Sequence, residues 1–251
     1  DFGTTNSAVA LATDSATPRL ASFDSADGAS DTFRSILYFD PKPRRGVESV
    51  FAGPMAVQHY RQAAHKGRFL QSLKAYLGDA GFTGTSIGGR HRTLPELIAL
   101  ILQRLLKSAE ASLGSLPARV IVGRPVHFTV SRSAEHDELA LSRMREALSL
   151  AGIHEPVFEY EPIAAAYAYQ QRLTEPATVL IGDFGGGTSD FSLLALEPPS
   201  DVPGAGITIL GNDGVAIAGD AFDRAIVRHA VAPQLGRGSE FTSPPDKRLP
   251  M

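Results

Sequence analysis

Two stretches of this chain place a carboxylate ahead of a tight, hydroxyl-bearing turn: Asp1-Phe2-Gly3-Thr4-Thr5-Asn6-Ser7 and Asp183-Phe184-Gly185-Gly186-Gly187-Thr188-Ser189-Asp190. Turns of this kind carry the groups that a phosphate needs. Gly lets backbone N–H groups come close, Thr and Ser add hydroxyl donors, and the Asp can hold Mg²⁺ through water. An apolar strand, Thr178 to Ile181, leads into the second turn, and apolar stretches follow both, so each reads as strand, turn, strand. Either copy alone is also the sequence of a plain hairpin, because Gly and Asn populate many turns that meet no ligand. The pairing argues further. Two copies this far apart, with no short solenoid period, suggest two related lobes that face one polyphosphate across a cleft. Asp-Phe-Gly also occurs in protein kinases, but no His-Arg-Asp catalytic loop lies upstream here.

Other candidate residues sit at predicted helix starts. Pro162 biases Glu161 to an extended conformation and suits the first position of a helix over Ile163 to Arg172, so Glu161 stands at a helix mouth. There it either complements the helix dipole or faces a ligand. Gly219-Asp220 opens a helical segment from Ala221 to Ala232 and has two readings as well, a helix cap or an approach to an anion. The His residues are scattered without a His-x-x-x-His pair, which argues against zinc. Zero Cys excludes disulfides and thiol chemistry and fits a reducing, cytoplasmic setting. A formal charge of −3 and a pI near 6.2 leave no electrostatic footprint for nucleic acid. The short basic clusters Lys42-Pro43-Arg44-Arg45 and Arg90-His91-Arg92 read as solvated loops, with a phosphate or partner contact as the lesser alternative. No apolar run approaches membrane-spanning length, so neither nucleic acid nor membrane is expected as a partner.

The elements that must position these residues are legible in part. A chain of 251 residues with 43% hydrophobic content can bury a sizeable core. Asp14 to Asp31 is polar and punctuated by Gly and Pro, and Ser35 to Phe39 reads as a strand stopped by Pro41. A helical segment is expected from about Ala56, with Phe69, Leu70, Leu73 and Leu77 at helical spacing over Arg68 to Leu77. Thr93-Leu94-Pro95-Glu96 is a capping-box pattern, and the apolar run that follows ends at Leu113-Gly114, which predicts a largely buried helix. Arg119 to Gly123 predicts a short strand, Ala134 to Ala151 an amphipathic helix closed by Gly152, and Pro156 to Tyr160 another strand. Beyond Pro176 come the strand, the second glycine turn and a strand to Leu196; a surface loop over Glu197 to Gly204 follows, and Gly206 to Leu210 pairs back. Residue 1 falls inside the first turn, and Gly236-Arg237-Gly238-Ser239 and Ser243-Pro244-Pro245-Asp246 run to Met251 without closing a unit, the pattern expected of a fragment of a longer chain.

These motifs, in this order, resemble the nucleotide-binding domain of heat-shock protein 70 chaperones within the actin-like ATPase superfamily. Asp1 to Ser7 is similar to that family's first phosphate motif and Asp183 to Asp190 to its second. Glu161-Pro162-Ile163-Ala164-Ala165-Ala166-Tyr167 is similar to the connecting-helix signature, and Gly219-Asp220-Ala221-Phe222-Asp223 to the segment that opens the upper half of the second lobe. Val122-Gly123-Arg124-Pro125-Val126 stands where a Val-Pro turn is usual and is closer to the divergent bacterial YegD-like homologues. The resemblance implies an α/β chain with the actin-like ATPase fold, built from duplicated ribonuclease H-like lobes. Residues 1–172 would form a nearly complete first lobe with an inserted subdomain over about 36–92. Residues 173–251 would form a truncated second lobe whose upper subdomain starts at about 219. It also implies ATP or ADP with Mg²⁺ between the lobes. Asp1 and Asp183 would hold the hydrated metal, Gly3, Thr4, Thr5, Asn6, Gly185, Gly186, Gly187, Thr188 and Gly219 would cradle the nucleotide, and Glu161 and Asp190 would orient the attacking water beside Thr188.

Two departures qualify the expected activity. The family places a Lys after a Gly-x-Ala-Ala stretch, and Gly53-Pro54-Met55-Ala56-Val57 puts Val57 there. Slow hydrolysis is therefore expected unless Lys66, Lys74 or a neighbouring Arg substitutes, and a Lys installed at position 57 is expected to raise turnover. The adenosine-binding turn late in the second lobe has no counterpart before Met251, so the fragment itself is expected to bind nucleotide weakly or not at all, and the natural full-length chain to bind it. The leading expectation is an ATP-binding, weakly hydrolysing chaperone-like protein. A small-molecule kinase of the same superfamily and a non-catalytic nucleotide sensor are the alternatives, because fold does not settle function. Client polypeptides or co-chaperones would act through parts outside this chain.

Overall fold

A computed structural model of the chain describes residues 1–13, 16–25, 28–42, 49–63, 66–128, 134–200, 205–215, 217–243 and 247–250. The basic residues Arg44 and Arg45, the loop from 201 to 204 and the Pro-rich step at 244–246 lie outside that set. The first part of the chain is a series of short strands: β1 (Asn6–Ser7), β2 (Ala10–Thr13), β3 (Ala16–Leu20), β4 (Phe23–Ser25), β5 (Gly28–Ser30) and β6 (Phe33–Arg34). They pair antiparallel as β1 with β6, β2 with β3, and β4 with β5. The described residues of the polar stretch 14–31 thus contribute the antiparallel strands β3, β4 and β5, and Phe23 of β4 is buried against Phe33 at 5.3 Å between rings.

Next come β7 (Leu37–Phe39), β8 (Val50–Ala52), α1 (Pro54–Gln62) and β9 (Arg68–Leu70), with β7 central between β8 and β9. The helical reading of Arg68 to Leu77 is corrected here. Arg68 to Leu70 is a strand bonded to β7, and only Leu73–Tyr76 turns, as one 3₁₀ helix. Gly67 at φ 93° and Ser72 at φ 57° bracket the strand and break any continuous helix, and Phe69 packs on Tyr60 at 4.7 Å rather than along a helix face. Arg90-His91-Arg92 is likewise no loop: β10 (Gly84–Ile87) and β11 (Arg90–Thr93) form a hairpin, and the Arg92 guanidinium lies 5.7 Å from the Phe39 ring centre.

The long helix α2 (Leu94–Leu113) begins where the sequence indicates. Thr93 Oγ1 accepts from the Glu96 N–H while Glu96 returns a carboxylate to the Thr93 N–H, completing the capping box. Its Leu97, Ile98, Ile101, Leu102 and Leu105 are buried and form the main core with Phe2, Leu37, Met144 and Leu148. Met144 and Leu148 belong to α3 (Ala134–Leu150), the crossover between the parallel strands β12 (Ile121–Arg124) and β13 (Val157–Tyr160). α4 (Glu161–Gln170) follows without a loop. Its Ile163 and Ala166 pack on Leu194 and Leu196 of an antiparallel sheet made of β14 (Ala177–Phe184), β15 (Ser189–Leu196) and β16 (Ile207–Val215). α5 (Gly219–Ile226) continues into one π turn, Val227–Val231, and the hairpin β17 (Glu240–Ser243) with β18 (Lys247–Pro250) is the last element described. No helix among the described residues is long and apolar enough to cross a membrane.

Candidate functional site

The two carboxylate-led turns are hairpins of the same register. In the first, Asp1 and Ala8 exchange both backbone hydrogen bonds at 2.8 and 3.0 Å, and Phe2 bridges Ser7. In the second, Asp183 faces Asp190 and Phe184 faces Ser189 across β14 and β15, and the Gly185 N–H closes the turn on Thr188 O at 2.9 Å. The hairpins meet tip to tip. A Cβ on Gly186 would collide with Thr5 Oγ1, and one on Gly187 would lie 2.8 Å from Thr4 Oγ1, so this approach needs glycine at both positions.

A cavity of about 440 Å³ opens where they meet. It gathers Asp1, Gly3, Thr4, Thr5, Asn6, Glu161, Asp183, Gly185, Gly186, Gly187, Thr188 and Gly219, which are the residues singled out from sequence with one exception. Asp190 stands behind the lining, 1% exposed. Its Oδ1 accepts the Val126 N–H at 2.9 Å, and its Oδ2 is buried with no hydrogen-bond partner. A larger cavity of about 810 Å³ adjoins the first and shares Asp1, Glu161 and Asp183 with it, but it lacks the hairpin tips.

Glu161 is placed by the junction of β13 and α4. Tyr160 is the N-cap residue in extended conformation, and Pro162 fills the first turn, so the helix begins at Glu161 itself. The Arg124 guanidinium braces this corner from the neighbouring strand: it lies 4.9 Å from the Tyr160 ring centre and 5.4 Å from that of Phe128, and it donates to Pro125 O and Val126 O. The same residue therefore steadies the backbone that binds Asp190 and the one that presents Glu161.

The cation of the cavity is Lys74, one of the substitutes that the sequence offers for Val57. Lys74 Nζ pairs with Glu161 Oε1 at 2.7 Å, with the side chains 6% and 16% exposed, inside the cavity. Val57 faces elsewhere, packed on the cluster of Ile36, Tyr38, Phe51 and Ala56, and is not part of the lining. Between α1 and the turn that carries Lys74 lie β9 and the left-handed Ser72.

Carboxylates dominate the charge of this cavity: Asp1, Glu161, Asp183, Asp220 and Asp223 line it beside Lys74. Burial pushes the Asp183 carboxyl above its ordinary range; Glu161 adds to the rise and Lys74 opposes it. Burial also pushes Asp190 up. The Thr188 side chain and the Val126 N–H pull it back, while Glu161 and Asp183 add to the rise. Among the described residues, no three His, Cys, Asp or Glu side chains converge closely enough to hold a metal ion unaided. A dispersed set of one or two carboxylates at a phosphate-type turn suits Mg²⁺, which keeps several waters and takes its other ligands from phosphate oxygens. Asp220 does not cap α5 as its sequence position suggested: the N-cap is Ala218 with no side-chain bond, and the Asp220 carboxylate accepts from Ser72. Nothing in the sequence pattern marked Ser72 or the Val126 N–H.

A family model described as Hsp70 protein matches residues 71–239, well over half of the chain. The chain belongs to the Hsp70 family. Membership brings the actin-like ATPase fold and a nucleotide-binding, chaperone-type domain. The match includes Lys74, Glu161, the second hairpin and Gly219 to Asp223, and it starts after the first hairpin. In this Hsp70 domain, the first hairpin joins the site through its contact with the second rather than through the matched segment.

Proposed function

We propose that this Hsp70 domain binds ATP or ADP with Mg²⁺ between its two hairpins and hydrolyses ATP slowly, with two lobes, 1–172 and 173–251, closing on the nucleotide. The observation that carries the reading is the meeting of two like hairpins at one cavity that also holds the Lys74–Glu161 pair. Backbone N–H groups of Gly185 to Thr188 and the hydroxyls of Thr4, Thr5 and Thr188 would bind phosphate oxygens. Asp1 and Asp183 would hold the hydrated Mg²⁺, which when bound supplies charge neutralisation for the phosphates.

The protein's own groups do the remaining work. Lys74 places a positive charge beside the terminal phosphate, and its pairing with Glu161 fixes the carboxylate's direction. Glu161, which lines the cavity, accepts a hydrogen of an attacking water and holds it in line, and Asp190, shut behind the lining, acts on that water only through the Thr188 side chain beside it. Such chemistry is mostly positioning and charge stabilisation, so a displaced tip would slow it strongly. The sensor alternative rests on Val57; Lys74 in the cavity supports the hydrolysing reading instead.

Single-turnover release of phosphate from ATP with Mg²⁺ tests the proposal, with Asp183→Asn as control. Release abolished by the control is the expected result. Nucleotide that binds and is never cleaved would return the site to a sensor, and ADP formed only when a small hydroxylated acceptor is added would make it a kinase.

A further inference from the structure

Beside the contact between the hairpin tips, a second bridge joins the N-terminal elements to the C-terminal ones. Ser72 Oγ donates to Asp220 Oδ2 at 2.6 Å across a sequence separation of 148 residues. Neither end of this hydrogen bond is explained by its own surroundings. Ser72 is the one non-glycine residue with positive φ among the described residues, at φ 57° and ψ 30°, a left-handed conformation that L residues adopt only at a cost. Asp220 lies in the first turn of α5, yet that helix takes no side-chain cap, and the carboxylate turns to Ser72 instead.

Both residues are tied to the cavity. The 3₁₀ turn that starts after Ser72 carries Lys74, which pairs with Glu161. The Asp220 N–H donates to Gly186 O at 2.8 Å, and the Gly219 N–H to Gly185 O at 3.1 Å, so the start of α5 is pinned to the second hairpin. A ring of contacts results: Thr5 against Gly186, Gly186 to Asp220, Asp220 to Ser72, and Ser72 along the chain to Lys74 and Glu161. Thr5, Gly186, Asp220, Lys74 and Glu161 all line the cavity. Separation of the tips would widen the cavity that lies between them. The second tip carries Asp220 with it, and that separation must break the bond to Ser72.

We propose that Ser72 and Asp220 form a latch between the two halves of the cleft that sets the rate at which a bound nucleoside diphosphate leaves. Both are positioning residues, and the latch rests on the nucleotide reading given above. The left-handed backbone at Ser72 is what aims its hydroxyl at Asp220, so the backbone and the hydroxyl can be separated by substitution. Ser72→Gly keeps the conformation and deletes the donor. Ser72→Asn tolerates the same conformation and offers an amide donor.

The test is the dissociation of a fluorescent ADP analogue with Mg²⁺ from the full-length chain, followed by stopped flow after a chase of unlabelled nucleotide. Ser72→Gly and Asp220→Ala are expected to release the analogue about tenfold faster, the ratio that a charged hydrogen bond of about 1.4 kcal/mol gives. Ser72→Asn is expected to return the rate to within about threefold of the parent, by the same arithmetic. Unchanged rates in both Ser72→Gly and Asp220→Ala overturn the latch, and so does a Ser72→Asn as fast as Ser72→Gly. A double-mutant cycle of Ser72→Gly with Asp220→Ala, read by urea unfolding without nucleotide, separates the two layers. Coupling there with no analogue bound by the parent overturns the nucleotide reading, whereas absence of coupling overturns the contact itself.

Discussion

Replacing Lys74 by Met removes the cation from a cavity otherwise lined by carboxylates, and its effect can be worked from the geometry. The amine sits 2.7 Å from Glu161, and both side chains are largely shielded from water. At the effective dielectric that suits such sites, a pair this close attracts by about 6 kcal/mol before desolvation is charged against it, so the net is smaller; stranding one partner of a buried pair commonly costs about 3–5 kcal/mol. The loss of a preorganised donor at a developing charge slows turnover by about 10²–10³-fold. Lys74 also opposes the rise of the Asp183 carboxyl, so its loss moves that group further up. Asp183 must be ionised to hold a hydrated metal, so activity is present above its pKa and lost as pH falls through it. Lys74→Met therefore shifts the acid limb of the pH profile to higher pH, while the parent keeps activity lower on the scale. Single-turnover phosphate release measured between pH 5 and 9 reads both effects. Turnover within threefold of the parent, or a fall with an unmoved acid limb, would refute the assignment of Lys74 as the working cation.

Three further outcomes follow from the same site. Asp190→Asn should leave nucleotide affinity close to the parent and lower hydrolysis by about 10²-fold, measured by isothermal titration and single turnover. Because burial raises Asp190, the folded state binds its proton more tightly than the unfolded chain, and stability falls as pH rises through that raised value. The Asn variant should thus melt higher than the parent at neutral pH and no higher below the ordinary carboxylate range; the same difference at both pH values would contradict this. Val57→Lys, set among Ile36, Tyr38, Phe51 and Ala56, should lower the melting temperature and leave turnover without gain, the reverse of the expectation drawn from sequence. Arg124→Leu should reduce turnover about tenfold by loosening both carboxylates, with Arg124→Lys no better than partial because a lysine lacks the planar stack on Tyr160 and Phe128; full activity in Arg124→Leu would reject the brace.

Where a local rule governs an element, the sequence sufficed. The capping box at Thr93, the Pro at the start of α4 and the glycine turns are all short-range signals, and the corresponding elements stand where they point. The hairpin residues that line the cavity were legible for the same reason, since each hairpin is written in consecutive residues. What escaped was set by distant partners. Arg68 to Leu77 has apolar residues at helical spacing, but the edge of β7 claims Arg68 to Leu70 as a strand, and no periodicity reports that. Lys74 lies in one short turn whose position depends on Ser72 adopting a left-handed conformation, and serine carries no mark of it. The unpartnered oxygen of Asp190 and the Val126 N–H that holds its other oxygen are tertiary facts, invisible until β12 and β15 are brought together.

The matched register of the two hairpins has a consequence for direction. Each spans eight residues from its leading Asp to the residue opposite, which is Ala8 in the first and Asp190 in the second. A backbone repeated in this way offers nearly the same grip from either side, yet a polyphosphate has a head and a tail. The polarity of the cleft must then be written in side chains that break the repeat. Asp190 stands where its counterpart has only a methyl group, and Lys74 and Glu161 reach in from elements that lie between the copies in sequence. The two turns differ at four aligned positions, Thr4, Thr5, Asn6 and Ala8 against Gly186, Gly187, Thr188 and Asp190, so on the reading proposed above the sense in which a nucleotide lies is set by these side chains, among which Asp190 is the one carboxylate.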